Sequence, residues 1–284
     1  MATLFVAYDN HADGATLAGG SWESTLPLAN LKKQQPTTLA RTTNDAEASS
    51  IITSNLGGRK LINVVALVHH NLSPSATWRV RIGNTSDYST NLVDTGAVDA
   101  IDAIEAAGEK QWGEFNWGGK PTTAQLAEFN PITLYYNSTG VLAQYVRIDI
   151  SDTSNADEYV EAGRLYVATA FTPTSGVAYG LQTSFVDESR SVRSRGGQVF
   201  VDAVAKRRRF AFAFHSMDEA EAYTSANEIQ RSKGLSGDVL VAIDADDTTN
   251  RMRQTLYGRL VSLAPIAHAS PTHFTTQMVV EELL

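Results

Sequence analysis

Two adjacent histidines, His69 and His70 in LVHHNLSPSATWRVRIG (residues 67–83), are the first residues able to do chemistry. Imidazoles ligate metals and move protons near neutral pH. Their spacing argues against both roles. LINVVALVHH reads as a strand, and neighbouring strand residues point to opposite faces, so two such side chains do not converge on one ion. His11, His215, His268 and His273 are scattered, and no HExxH spacing occurs. The expectation is a strand end, with Asn71 and Pro74 making the turn. No metal site and no catalytic residue is expected.

Three other stretches carry candidate chemistry. Asp244–Asp247 in DADDTTNRMRQT offers carboxylates for calcium but lacks the glycine and distal glutamate of an EF-hand loop. A tip between VLVAI and QTLYGRL is expected instead. Arg207, Arg208 and Arg209 form the densest basic run, at the entrance to a strand. They are read as solvated or interface residues rather than a phosphate site. In KQWGEFNWGGKP (110–121), Trp112, Phe115 and Trp117 could stack on a sugar or anchor a protein partner. They could equally fold back over a core. Glu109, Glu114 and Glu128 could serve a glycosidase, which needs two carboxylates across a cleft, but sequence alone pairs none of them. Neither a GxSxG elbow nor a phosphate-cradling glycine loop is present.

The elements that would position these residues are mostly strands. SIITSNLGG, LINVVALVHH, TWRVRIG, ITLYYNS, QYVRIDISD and YVEAGRLYVATAF are rich in β-branched and aromatic residues between turn-forming clusters. ATWRVRIG alternates, with Trp78, Val80 and Ile82 on one face and Arg79 and Arg81 on the other. Such strands suggest an antiparallel sandwich with a wet side. From Thr95 to Gly119 the pattern changes, and a short helix leading into a long loop is expected.

FTPTSGVAYG (171–180) reads as a boundary. Beyond it, Phe210, Phe212 and Phe214 alternate with Ala211 and Ala213, a period-two strand signal. A helix is expected over 216–233: Ser216 and Glu219 stand in capping-box spacing, and Gly234 is placed to end it. Ala220, Tyr223 and Ile229 would face inward. Three more strands follow, in GDVLVAIDADD, RQTLYGRLVSL and HFTTQMVVEEL. The expected fold is mainly β: an N-terminal jelly-roll sandwich over 21–173, then a smaller β-rich α+β domain with one helix over 174–284. Residues 1–20 supply a strand that could join the second domain.

Bulk properties narrow the partners. The chain has 284 residues, a net charge of −8 and no cysteine. Residues 1–172 hold 11 basic against 18 acidic residues, and 173–284 hold 12 against 13. Neither half has the basic excess of a nucleic-acid binder. Disulfides, thiolate metal sites and thiol nucleophiles are absent together. MATLFVAYDNHADG lacks the basic-then-apolar pattern of a secretory signal, and no run reaches the roughly 20 apolar residues of a membrane span.

WESTLPLANLKKQQPTTLARTT, LGGRKLINVVALVHHNLSPSATWRVRIG and QYVRIDISDTSNADEYVEAGRLYVATAFTP together resemble the discoidin-like jelly roll. The version they resemble is found in tail and baseplate proteins of tailed bacteriophages. The resemblance covers about Ser21 to Pro173. The remainder is similar to the ring-forming domain of distal tail proteins, although those place the ring domain first. The resemblance implies a virion protein made in the host cytoplasm, without a cofactor. It would form a ring, trimer or hexamer, and join the tail tube to hub and fibre proteins. The alternative is a carbohydrate-binding module for host glycan, using Trp112, Trp117 and Arg79 or Arg81.

Overall fold

The computed structural model describes residues 3–105, 119–127 and 130–284. The chain forms two compact units. The first contains the residues up to Thr172 together with Leu240–Thr255, and the second contains Pro173–Val239 and Leu256–Leu284.

The first unit is an antiparallel β-sandwich. Its strands are β1 (Phe5–Asn10), β2 (Thr16–Ala18), β3 (Ala40–Arg41), β4 (Ile52–His70), β5 (Thr77–Gly83), β6 (Asn91–Asp94), β7 (Val98–Asp99), β8 (Ile132–Ser151) and β9 (Glu161–Phe171). The helix α1 (Thr123–Ala127) precedes β8. Two long strands, β4 and β8, run through the whole unit. Their pairing is interrupted between Asn55 and Lys60 and again between Ile62 and Val64. One end of this ribbon pairs with β2 and β5, and the other pairs with β9. Breaks in register bend a strand, which lets one pair serve both layers.

Alternation fills the space between the layers. Trp78, Val80 and Ile82 of β5 meet Val146, Ile148 and Ile150 of β8 and Leu165 and Val167 of β9 in one buried cluster. The outer face of β5 and β8 is an ionic ladder: Arg79 pairs with Asp94, and Arg81 and Arg147 both pair with Asp149. The PLANL stretch forms a 3-10 turn over Leu28–Lys32 that buries Leu28, Asn30 and Leu31. Pro36 beyond it approaches β9 so closely that a Cβ on Gly163 would lie 2.2 Å from its carbonyl oxygen. That approach explains the glycine in EAGRLYV.

Residues 95–105 contain the short β7 and bends, not the start of a helix. Val98 pairs with Trp78, and the Ile104 and Glu105 N–H groups both donate to the Gly119 carbonyl. Gly119 has φ +70 and would place a Cβ 2.1 Å from the Glu105 carbonyl oxygen, so only glycine closes this junction. The N-terminal strand β1 lies in the first unit, paired with β9 and with Leu240–Ala242.

The second unit begins with β10 (Gln182–Val186), β11 (Arg190–Arg193), β12 (Val199–Asp202) and β13 (Arg207–Met217). A π-helical turn over Glu221–Ala226 leads into α2 (Asn227–Lys233), after which the chain enters β14 (Asp238–Ala242), whose last three residues belong to the first unit, as does α3 (Arg251–Gln254). The second unit resumes in β15 (Thr255–Leu263) and continues with β16 (Ala267–Ser270) and β17 (His273–Glu282). Within this unit β17 pairs with β13, β15 and β16, and β13 also pairs with β10. Phe210, Phe212 and Phe214 all point into its core.

The helix differs in detail from the expectation of 216–233. Ser216 lies in β13 with φ +86, where the register against β17 shifts between His215 and Met217. Asp218 takes the capping role instead, its carboxylate accepting the Glu221 N–H at 2.7 Å while Glu221 accepts the Asp218 N–H. This two-residue shift turns Ala222, Ala226 and Ile229 inward, and Tyr223 is half exposed. Gly234 ends the helix as expected, its N–H donating to the Gln230 carbonyl.

Candidate functional site

A cleft of about 580 Å³ opens at the end of β4 in the first unit. His69, Asn71, Ser73, Ser75, Asn130, Ser154 and Asp157 supply its polar wall, and Leu39, Leu72, Pro74, Leu126 and Pro131 supply apolar surface. Asn71 fixes the geometry. Its side-chain nitrogen donates to Asp157 and to the Tyr159 carbonyl, and its oxygen accepts the Glu161 N–H at 2.7 Å. Ser73 donates to the buried Asp152, which also accepts from Asn155. Ser75 and Ser154 share a hydrogen bond at 2.7 Å on the exposed rim. Glu161 is held by Arg41, whose guanidinium lies 4.1 Å from the Tyr159 ring centre.

The two histidines part company here. His69 has φ +54, an uncommon conformation for a residue with a side chain. Its ring nitrogen lies 3.3 Å from the Asn130 side-chain oxygen. His70 turns inward and is buried. The Leu72 N–H donates to His70 Nδ1, which therefore carries no proton. Nε2 then donates to Thr133 Oγ1 at 2.9 Å, and the Thr133 hydroxyl donates to the Ala100 carbonyl. This chain of bonds assigns the neutral Nε2–H tautomer. Burial, with a smaller contribution from His69, lowers the His70 pKa to about 3. His70 is thus a satisfied structural histidine. Among the described residues, no group of three or more histidine, aspartate or glutamate side chains is arranged to hold a metal ion.

The arginine run has intramolecular partners. Arg208 is buried and pairs with Glu282 at 2.5 Å. Arg207 pairs with Glu188 and Glu281, and Arg209 pairs with Glu281. These contacts clamp β13 to the end of β17 within the second unit, so the three guanidinium groups are already engaged. Arg79 and Arg81 are likewise taken up by the aspartates of the outer ladder. Asp244, Asp246 and Asp247 have protein donors: Asp244 accepts the Thr3 and Asp246 N–H groups, Asp246 accepts the Thr3 hydroxyl, and Asp247 accepts from Asn250. Trp112, Phe115 and Trp117, with Glu109, Glu114 and Glu128, lie outside the described residues.

A feature not singled out in the sequence is the β11–β12 hairpin of the second unit. Its strands pair only with each other among the described strands. All eight strand residues are exposed, Val192 at 67%, Phe200 at 59% and Val201 at 63%. The readable signal was Gly196-Gly197 between two apolar-containing runs, a short-range hairpin mark.

Neither a protein-family model nor a curated protein matches this sequence. Among solved structures, a carbohydrate-binding module of a family 31 glycoside hydrolase from Clostridium perfringens aligns over 57% of this chain and 99% of its own, at 8% identity and a TM-score of 0.39. The lectin domain of lectinolysin, complexed with Lewis B antigen, aligns over 56% of this chain and 95% of its own, at 12% identity and a TM-score of 0.36. A fucose-binding module from Streptococcus pneumoniae covers 57% and 95%, at 9% identity and a TM-score of 0.36. These likenesses are too distant to bear on a site or an activity.

Proposed function

We propose that this chain is a structural subunit of a phage-tail or baseplate assembly. It would form a ring that joins the tail tube to hub and receptor-binding proteins. The observation that carries the assembly reading is the β11–β12 hairpin, which leaves apolar side chains in water on both of its faces. Exposed apolar patches of this kind mark protein–protein contact. The fold resemblance of the sequence adds the phage-tail context. Negative-stain electron microscopy of the purified protein tests the reading: closed rings of uniform symmetry are expected, and dispersed single particles would contradict it.

A second reading, compatible with the first, is favoured by the cleft at the end of β4. Hydrogen-bonding side chains, the Asp157 carboxylate among them, beside apolar surface suit a polyol, whose hydroxyl groups and C–H faces need both. On this reading the sandwich is a glycan-binding module and performs no catalysis. A panel of neutral mono- and disaccharides, titrated while protein NMR shifts are followed, should include a ligand that binds weakly, at roughly millimolar Kd. Ser154→Trp, on the exposed rim, should fill the cleft and abolish the shifts. Silence across the panel, or shifts that survive Ser154→Trp, would remove the cleft from consideration.

A further inference from the structure

We infer that the β11–β12 hairpin is an arm that docks on a second copy of this chain. The inference rests on the assembly reading above and names the contact that would build it. Register places Arg190, Val192, Phe200 and Asp202 on one face of the ribbon, and Ser191, Arg193, Val199 and Val201 on the other. Each face therefore carries two exposed large apolar or β-branched residues. A lone two-stranded ribbon is marginal in water and needs a hydrophobic face covered to persist. Here both faces ask for a cover.

The apolar surface extends beyond the ribbon itself. Tyr179 is fully exposed, Phe185 of the adjoining β10 is 67% exposed, and Val204 follows the second strand. The base of the arm is pinned, with the Val204 N–H donating to Ser189 Oγ. The tip is closed by Ser194, whose N–H donates to the Gln198 carbonyl, and by Gly197 at φ +84. These bonds close the arm at base and tip and fix the register of its two strands.

Charge selects the partner. The arm, residues 190–202, holds Arg190, Arg193 and Arg195 against one acidic residue, Asp202, a net of +2. The whole chain nonetheless carries −8, so the remainder is more acidic still. A basic, apolar arm and an acidic body on the same polypeptide complement one another between copies. Nucleic acid would satisfy the arginines but would leave Val192, Val199, Phe200 and Val201 uncovered. An arm that seats on a different surface of the next copy makes a heterologous contact, and such contacts close into rings when the rotation allows.

The test uses the full chain and two variants. One is Arg190→Glu with Arg193→Glu and Arg195→Glu; the other is Val192→Ser with Phe200→Ser. Both change exposed residues outside the core, so circular dichroism and the melting temperature should match the parent. Sedimentation at low and high salt reads assembly. The parent should form a discrete oligomer, the glutamate variant should assemble at least tenfold more weakly, and the serine variant should be monomeric. If both variants assemble like the parent, the arm is not the contact and the assembly reading survives without it. If the parent is itself monomeric at every concentration, the arm does not dock on a second copy and self-assembly falls with it.

Discussion

Arg164→Ala should lower the stability of the first unit by about 2–3 kcal/mol, the usual scale for losing charge-assisted hydrogen bonds from a buried side chain. Arg164 is 1% exposed in the middle of β9. Its guanidinium reaches both carboxylate oxygens of Asp13, at 2.6 and 3.0 Å, and the Lys32 carbonyl at 2.5 Å. It therefore ties the 3-10 turn after β1 and the PLANL turn to the same strand. Truncation removes the charge and leaves Asp13 and the Lys32 carbonyl without that donor. Arg164→Lys should also destabilise, because one ammonium cannot reproduce the planar two-pronged grip. Asp13→Asn should cost less, since the Asp13 side chain is 43% exposed and water can replace part of the interaction. Chemical denaturation of the three variants checks the order, and an Arg164→Ala protein as stable as its parent would contradict this account.

The second large effect is the pH dependence that His70 contributes. His70 has a folded pKa of about 3 against an ordinary value of 6.5. As pH falls below 6.5 the unfolded chain takes up a proton that the folded chain refuses. The contribution is therefore fully present above pH 6.5 and is lost progressively down to about 3. At pH 5 this amounts to about 2 kcal/mol of lost stability. The physical reason is geometric: a proton on Nδ1 would face the Leu72 N–H that now donates to it. His70→Gln does not titrate in this range. Between pH 7 and pH 5 the parent should lose about 2 kcal/mol more than His70→Gln. Equal losses in the two proteins would mean that His70 is protonated in the fold.

How much of this was readable in advance depends on the range of each interaction. The core faces followed from period-two patterns, as with Trp78, Val80 and Ile82, and with Phe210, Phe212 and Phe214. The helix start was misplaced by two residues because the bulge at Ser216 depends on pairing with β17, far along the chain. The partners of the arginine run were hidden for the same reason: Glu282 lies 74 residues from Arg208. The inward turn of His70 was concealed by the reversal at His69, which breaks simple alternation. The arm could have been found, since Gly196-Gly197 marks a hairpin. Its exposure could not, because VFV looks like any core strand until the packing is known.

The central claim is self-assembly, and the most direct measurement is the mass of the unmodified protein in solution. Mass photometry and light scattering across a concentration series would give it. The account predicts a discrete species of trimer or hexamer mass that persists on dilution into the nanomolar range. A strict monomer up to the highest attainable concentration would contradict it.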